Sequence, residues 1–277
     1  MSTLYVVATP IGNLEDITLR ALRVLREVAL IAAEDTRTAR KLLARHAIHT
    51  PLTSFFEHSR LPKLDYLLHT LAENDVALIS EAGMPGLSDP GYELIRAAIE
   101  RGLPVVAIPG PSAITTALAV SGLPSDQFVY LGFLPRRPTE RRRLLTAVAA
   151  EPRTLVAFEA PHRLLACLSD LASILGEQRR LAVCRELTKA FEEVRRETVA
   201  AALAHFRATA PRGEFTLVIA GATAVGQAGS LSTGDAAQVR GRVAGLVASG
   251  IRRQEAIKQV ARETGLPRRE VYRLVTL

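Results

Sequence analysis

Residues 76–91 read VALISEAGMPGLSDPG. The segment opens on Val76, Ala77, Leu78 and Ile79, four apolar residues with no polar alternation. Such a run suits a strand buried on both faces, as in a parallel sheet covered by helices. It stops in a loop that holds Gly83, Gly86 and Gly91, with Pro85 and Pro90 between them. Glycine admits positive φ and lets a ligand approach the backbone, while proline stiffens the chain. A helix is predicted over 92–101. Open α/β sheets hold their ligands where a strand ends in such a loop before a helix. This loop is about twice the usual strand-to-helix length. It also carries Glu81, Ser88 and Asp89, which favours a binding loop over a plain connection.

The same rhythm runs through the chain before and after it. Strands are predicted over 4–9, 29–33, 53–56 and 104–108, and helices over 17–28, 36–45, 61–73 and 113–121. Asp16 is placed to cap the first helix, whose Ile17, Ala21, Val24, Leu25 and Val28 make one apolar stripe. Ser112 is placed to cap the last. The helix after Glu34-Asp35-Thr36-Arg37 is basic on one side. Strands that alternate with helices about every 25 residues predict a mainly parallel sheet with right-handed crossovers.

Gly122-Leu123-Pro124-Ser125-Asp126 marks the best boundary, so 1–121 reads as a first α/β domain and 122–222 as a second. The second has predicted strands over 128–131, 154–158, 181–184 and 214–220, an extended stretch over 191–195 and a helix over 199–207. Residues 221–233, rich in Ala, Gly and Ser, read as a linker. Helices over 236–248, 254–264 and 267–275 follow, with Gly265 at a turn and Pro267 at a helix start. The module at 234–277 therefore has a helix-turn-helix-like pattern, with Arg268, Arg269 and Arg273 on its last helix.

Charge sharpens this division. The chain carries a formal +7, and residues 231–277 hold nine Arg or Lys against four Asp or Glu. A basic module joined to a near-neutral body suggests an anionic partner, nucleic acid above all. Two cysteines, Cys167 and Cys184, are too few for a disulfide framework or a zinc site. No apolar run is long enough for a membrane span and no basic region precedes the first apolar stretch, so a cytoplasmic location is expected.

No G-x-G-x-x-G follows the first strand, and neither a Walker loop nor a nucleophile elbow occurs. The chemistry must come from the strand-end loops TPIGN (9–13), AEDTR (33–37), the opening loop and PGPSA (109–113). All four are expected on the carboxyl edge of one sheet, where they make a cleft. Glu34, Asp35, Glu81 and Asp89 would suit a ligand with positive charge.

Seven ordered blocks carry a resemblance: TPIGNLEDITLRAL (9–22), AAEDTR (32–37), LISEAGMPGLSDPGY (78–92), PGPSAITTALAVSGLP (109–124), GFLPRR (132–137), EAPHRL (159–164) and RELTKAFEE (185–193). Together the chain resembles the ribosomal-RNA-modifying branch of the tetrapyrrole methylase superfamily. The resemblance implies two α/β domains with S-adenosyl-L-methionine in the cleft between them, a C-terminal helical module and a homodimer. It implies methyl transfer to the ribose 2′-hydroxyl of a cytidine near the decoding centre of 16S RNA in the 30S subunit. By the same resemblance Pro10 and Gly12 border the cofactor cleft, Ala82, Gly83, Pro85, Ser88 and Asp89 hold the methionine end, and Glu81 belongs to the same cofactor site. Ser112 and Ala113 lie nearby, and Leu131, Gly132, the region of Phe158 and the start of the last strand close over the adenosine. Glu81 and Met84 stand where relatives often have Asp and Thr. The first keeps the charge and the second removes a hydroxyl.

Alignment of a hydroxyl with an activated methyl group, and removal of its proton, are what the protein must supply. Glu34, Asp35, His58, Glu159, His162 and Glu186 are the available proton acceptors. The Glu34–Asp35 pair is the expected one, with Arg37 and Lys189 positioning phosphate. Asp35 as a simple helix cap, and Glu186 paired internally with Arg163, are the structural alternatives. RNA contacts are expected from Arg136, Arg137, Arg141, His162, Arg163, Lys189, Arg268 and Arg269. Two other readings stay open at this level: a corrin or porphyrin-precursor methylase with the same cleft, and a ligand sensor that grips DNA through the tail.

Overall fold

In the computed structural model, which describes residues 2–55, 61–222, 233–264 and 268–276, each apolar run of the first half becomes a strand between helices. The order is β1 (Leu4–Val7), α1 (Leu19–Glu27), β2 (Leu30–Ala33), α2 (Thr36–Arg45), β3 (Leu52–Ser54), α3 (Leu61–Glu73), β4 (Val76–Ile79), α4 (Tyr92–Glu100), β5 (Val105–Ile108) and α5 (Ala113–Ser121). The sheet runs β3-β2-β4-β1-β5 and every pairing in it is parallel. Every residue of β2 and β4 is buried. Ile31, Ala33, Ala77 and Ile79 feed one core, and Leu30, Ala32, Val76 and Leu78 feed the core on the opposite face. Two covered faces explain why these strands show no polar alternation.

The start of α1 differs from the expectation. Asn13 caps a short 3-10 turn at Leu14–Asp16, and Thr18 then caps α1 by accepting from the Ala21 amide at 3.1 Å. Asp16 lies inside the turn and Ile17 is extended, because Asn13 and Thr18 cap two short helices in series. Ser112 occupies the cap position of α5, yet its side chain makes no capping bond.

The second sheet is built from β6 (Phe128–Phe133), α6 (Pro138–Ala147), β7 (Thr154–Glu159), α7 (Pro161–Leu175), β8 (Arg180–Arg185), β9 (Glu193–Thr198), α8 (Val199–Ala208) and β10 (Phe215–Ile219). Its order is β6-β7-β10-β8-β9, with β6 and β7 parallel and the remaining pairs antiparallel. Helix α7 was not among the sequence-based expectations. Pro161 starts it, and Leu164, Cys167, Leu168, Leu171 and Leu175 bury one face of it at helical spacing.

Both sheets belong to one compact unit, Met1–Gly221, and Ala222–Leu277 form a second. In the second unit α9 (Thr233–Ala248), α10 (Arg253–Thr264) and α11 (Arg268–Thr276) enclose a core of Val239, Val243, Ala256, Ile257, Val260 and Val271. Gly265, Pro267 and the side chains of Arg269 and Arg273 lie outside the described residues, as does most of the 221–233 stretch. Among the described residues no helix is long and apolar enough to cross a membrane.

One expected RNA contact is withdrawn by packing. Arg141 is 3% exposed, and its guanidinium meets Asp170 of α7 at 2.8 and 2.7 Å, while Arg142 takes the other oxygen at 2.8 Å. Arg141 thus ties α6 to α7 and faces no solvent. Removal of the carboxylate in Asp170→Ala leaves a buried guanidinium without a counter-charge, which costs about 3–5 kcal/mol. Arg142→Ala removes a largely exposed partner and is expected to cost about 1 kcal/mol or less. Urea unfolding of the two variants checks the order, and an Asp170→Ala midpoint equal to that of Arg142→Ala would contradict it.

Candidate functional site

The carboxyl ends of β1, β2, β4 and β5 share one edge because their strands are parallel. The loop after β1 and the loop after β4 are fastened there. Thr9 donates its amide to the Gly83 carbonyl at 2.9 Å, and Gly83 donates its amide to the Thr9 carbonyl at 3.0 Å. Gly83 takes φ +76 to do so, a conformation that favours glycine. Both backbone groups of Gly83 are therefore paired to Thr9, while the residue itself lines a cavity. The Thr9 hydroxyl adds a bond to the Ser80 carbonyl at 3.3 Å.

A cavity of about 510 Å³ opens above this bridge and is lined from both sheets. The first sheet contributes Pro10, Gly12, Glu34, Glu81, Ala82, Gly83, Asp89, Ser112 and Ala113 of the expected residues; the second contributes Phe158, Glu159 and Lys189. The loops that carry them meet at two places. At one, Asn13 donates its amide to the Thr188 hydroxyl at 3.0 Å. At the other, the Ser88 and Tyr130 hydroxyls are 2.7 Å apart, and Ser88 (φ +63) lies against Gly132 (φ +67). The cleft therefore has fixed walls, each held by a residue in the left-handed region.

Electrostatics divide the interior from the rim. Glu34, Glu81 and Asp89 converge on the cavity, where the Glu81 amide donates to Glu34 at 3.2 Å. Burial pushes the Asp89 carboxyl up to about 7, and the charges of Glu34 and Glu81 push in the same direction. A carboxyl so placed favours a ligand that brings positive charge. The open amide groups at the start of α5, left without a side-chain cap by Ser112, suit the opposite end of a zwitterion.

The family model for Tetrapyrrole (Corrin/Porphyrin) Methylases matches residues 3–203. The chain belongs to the tetrapyrrole methylase family. Among curated relatives, the ribosomal RNA small subunit methyltransferase I of Synechocystis sp. is 48% identical over 275 residues, 99% of this chain and 97% of that protein. The protein of the same name from Thermotoga maritima is 48% identical over 222 residues, 80% of this chain and 99% of that protein. Among solved structures, a cobalt precorrin-4 methyltransferase superposes with a TM-score of 0.60 at 17% identity, covering 79% of this chain and 94% of that one.

In this tetrapyrrole methylase several anticipated residues take other places. Asp35 caps α2 and meets Arg37 at 2.8 Å; that bond holds its carboxyl down to about 2, which makes it a weak proton acceptor. Neither residue lines the cavity, and nor do Pro85, Ser88, Leu131 and Gly132. Arg163 turns inward onto Glu159 at 2.5 Å and donates to the Leu134 carbonyl at 3.1 Å, so it does not pair with Glu186. Lys189 lies between Glu186 at 2.9 Å and Glu214 at 3.0 Å. His162, Arg136 and Arg137 are exposed outside the cavity, Arg137 beside Glu140 at 3.3 Å. Arg268 is exposed in the second unit. His58 lies outside the described residues. The sequence reading missed Leu14, Thr38, Leu87 and Phe133, which also line the cavity. Leu14 and Thr38 are the residues that immediately follow the TPIGN and AEDTR loops, and that adjacency was their available signal.

Gly12 has a steric reason to lack a side chain. A Cβ there would sit 2.5 Å from Lys189 Cγ, 2.9 Å from Thr188 Oγ1 and 3.0 Å from the Leu187 carbonyl. Gly12→Ala is expected to destabilise the body by roughly 1–3 kcal/mol through overpacking. In a Lys189→Ala background, which removes the nearest atom, the same change is expected to cost less. Thermal unfolding of the four members of the cycle checks this, and strict additivity would contradict it.

Proposed function

We propose that this chain transfers a methyl group from S-adenosylmethionine to a ribose 2′-hydroxyl of a cytidine in small-subunit ribosomal RNA. The observation that carries the reading is the two-walled cavity lined by a half-buried Asp89 whose carboxyl burial pushes up to about 7. It is joined to near-complete coverage of relatives that bear a small-subunit RNA methyltransferase name. The residues present fit the cofactor. Asp89 and Glu81 face its positive charge, the start of α5 at Ser112 and Ala113 takes its carboxylate, and Phe158 supplies an apolar wall for its base. When bound, S-adenosylmethionine supplies an already activated methyl carbon.

The protein's own task is then orientation and proton removal. We assign removal of the hydroxyl proton to Glu34, which lines the cavity and accepts from the Glu81 amide, in preference to Asp35, whose bond to Arg37 lowers its basicity. Arg136 and Arg137 outside the cavity, and Arg268 in the second unit, are the surface cations for RNA. The substrate places the reaction on the 30S subunit, in the cytoplasm, and the active form is a homodimer. The +5 balance of the tail favours RNA over a tetrapyrrole.

Labelled S-adenosylmethionine, offered in turn with 30S subunits, uroporphyrinogen and duplex DNA, tests the assignment. Label is expected on a cytidine ribose of the small-subunit RNA; label on the tetrapyrrole alone would replace this reading. The Asp89 carboxyl adds a pH signature. Its value near 7 means that it is largely protonated at pH 6 and largely ionised at pH 8. A cationic ligand favours the ionised form, so affinity for S-adenosylmethionine is expected to rise across that range with release of a proton. Asp89→Asn is expected to flatten the part of the rise due to this group and to weaken binding at pH 8 by roughly tenfold. Calorimetry in two buffers of different ionisation enthalpy reads both effects, and an Asn variant with the wild-type pH profile would remove Asp89 from the site.

A further inference from the structure

Helix α2 carries a row of three cations, two of which the fold itself does not use. Its sequence, TRTARKLLAR, contains no acidic residue. Ala39, Leu42 and Leu43 are buried, and Thr38, Ala39 and Leu42 line the cavity. Arg37, Lys41 and Arg45 follow one another at i, i+4 and i+8, so they lie in one row along the flank beside Thr38. All three are exposed. Arg37 is tied to Asp35, whereas Lys41 and Arg45 have no hydrogen-bond or ion-pair partner among the described residues. Like charges one turn apart oppose helix formation, and the helix has no acidic side chain of its own to offset them. Arg45 also reaches a shallow depression lined by Gly12, Asn13, Leu14, Glu15, Thr188, Lys189 and Ala190, which adjoins the cavity through Gly12, Leu14 and Lys189.

We propose that this row is the track for the phosphate backbone of a single-stranded RNA whose reacting nucleotide enters the cavity. The inference rests on the RNA-methylation reading and deepens it by naming the wall along which the substrate runs. The charge layout supports it. Glu34, Glu81 and Asp89 make the interior acidic, which repels phosphate, and the cations lie outside on the rim. A substrate that reacts at a sugar hydroxyl needs its sugar inside and its phosphates outside. Phe133, 55% exposed and lining the cavity on the second sheet, offers a flat apolar face to a base turned out of its stack.

The test uses the full chain with Lys41→Ala/Arg45→Ala. Arg40→Ala serves as a control of like charge on the flank turned away from the cavity. Binding of S-adenosylmethionine by calorimetry is expected to be unchanged in both, and the thermal midpoint is expected to stay the same or to rise slightly in the double variant as the like-charge repulsion is relieved. Affinity for small subunits and for a naked RNA fragment of the target region is expected to fall at least tenfold in the double variant. The slope of log affinity against log salt is expected to shrink by about 1.4 for two lost contacts with a single strand. Arg40→Ala is expected to stay within a factor of about two. A double variant that matches Arg40→Ala would overturn the track. Retained affinity for naked RNA with lost affinity for subunits would overturn it too, by assigning the row to a ribosomal protein. Wild-type protein that binds neither RNA nor subunits would instead sink the proposed function from which the track follows.

Discussion

Two hydrogen bonds between Thr9 and Gly83 set the rest of this architecture. They join the ends of β1 and β4, neighbours at the middle of an all-parallel sheet. A side chain at position 83 would oppose the φ of +76 that allows both bonds. Once the bridge is made, the loop of residues 80–91 cannot lift from the sheet. Its Glu81 and Asp89 are then carried toward Glu34 at the end of β2. The concentration of carboxyls is a consequence of a backbone pairing, and so is the raised pKa of Asp89, which burial in this loop causes first and the charges of Glu34 and Glu81 reinforce.

The second sheet acts as the lid of the same cleft, and its attachment is also local and specific. Asn13 on Thr188 and Ser88 on Tyr130 each join residues from opposite sheets. Both contacts lie at loop positions with unusual backbone: Thr188 has φ +66 and Ser88 φ +63. Strain of this kind persists where surrounding structure over-determines it. Here the surroundings are the two walls of the cavity, so a strained loop and a defined ligand volume are one feature.

Several cations of the second sheet are neutralised by the fold. Asp170 takes Arg141, Glu159 takes Arg163, and Glu186 with Glu214 takes Lys189. These pairs hold α6, the start of α7 and the loop after β8 in register with the sheet. Other basic residues remain exposed, among them Lys41 and Arg45 on α2 and Arg136. Burial thus separates structural arginines, which fix the lid, from surface cations, which are available to an anionic partner.

The order of elements in the first half was legible from the chain alone, because a strand covered on both faces needs an unbroken apolar run and the loops between break it with Gly and Pro or, as at AEDTR, with charged residues and a helix cap. The grouping of TPIGN, the 80–91 loop and PGPSA on one edge followed from parallel pairing. What only the tertiary structure decided was which partner each charged side chain finds. Arg141 and Asp170 are 29 residues apart, and Asn13 and Thr188 are 175 apart; no periodicity reports such distances. The antiparallel order of the second sheet and the inward turn of Arg163 were hidden for the same reason. Local sequence sets backbone conformation and the face that must be buried, whereas charge pairing is chosen by whatever the completed packing brings within reach.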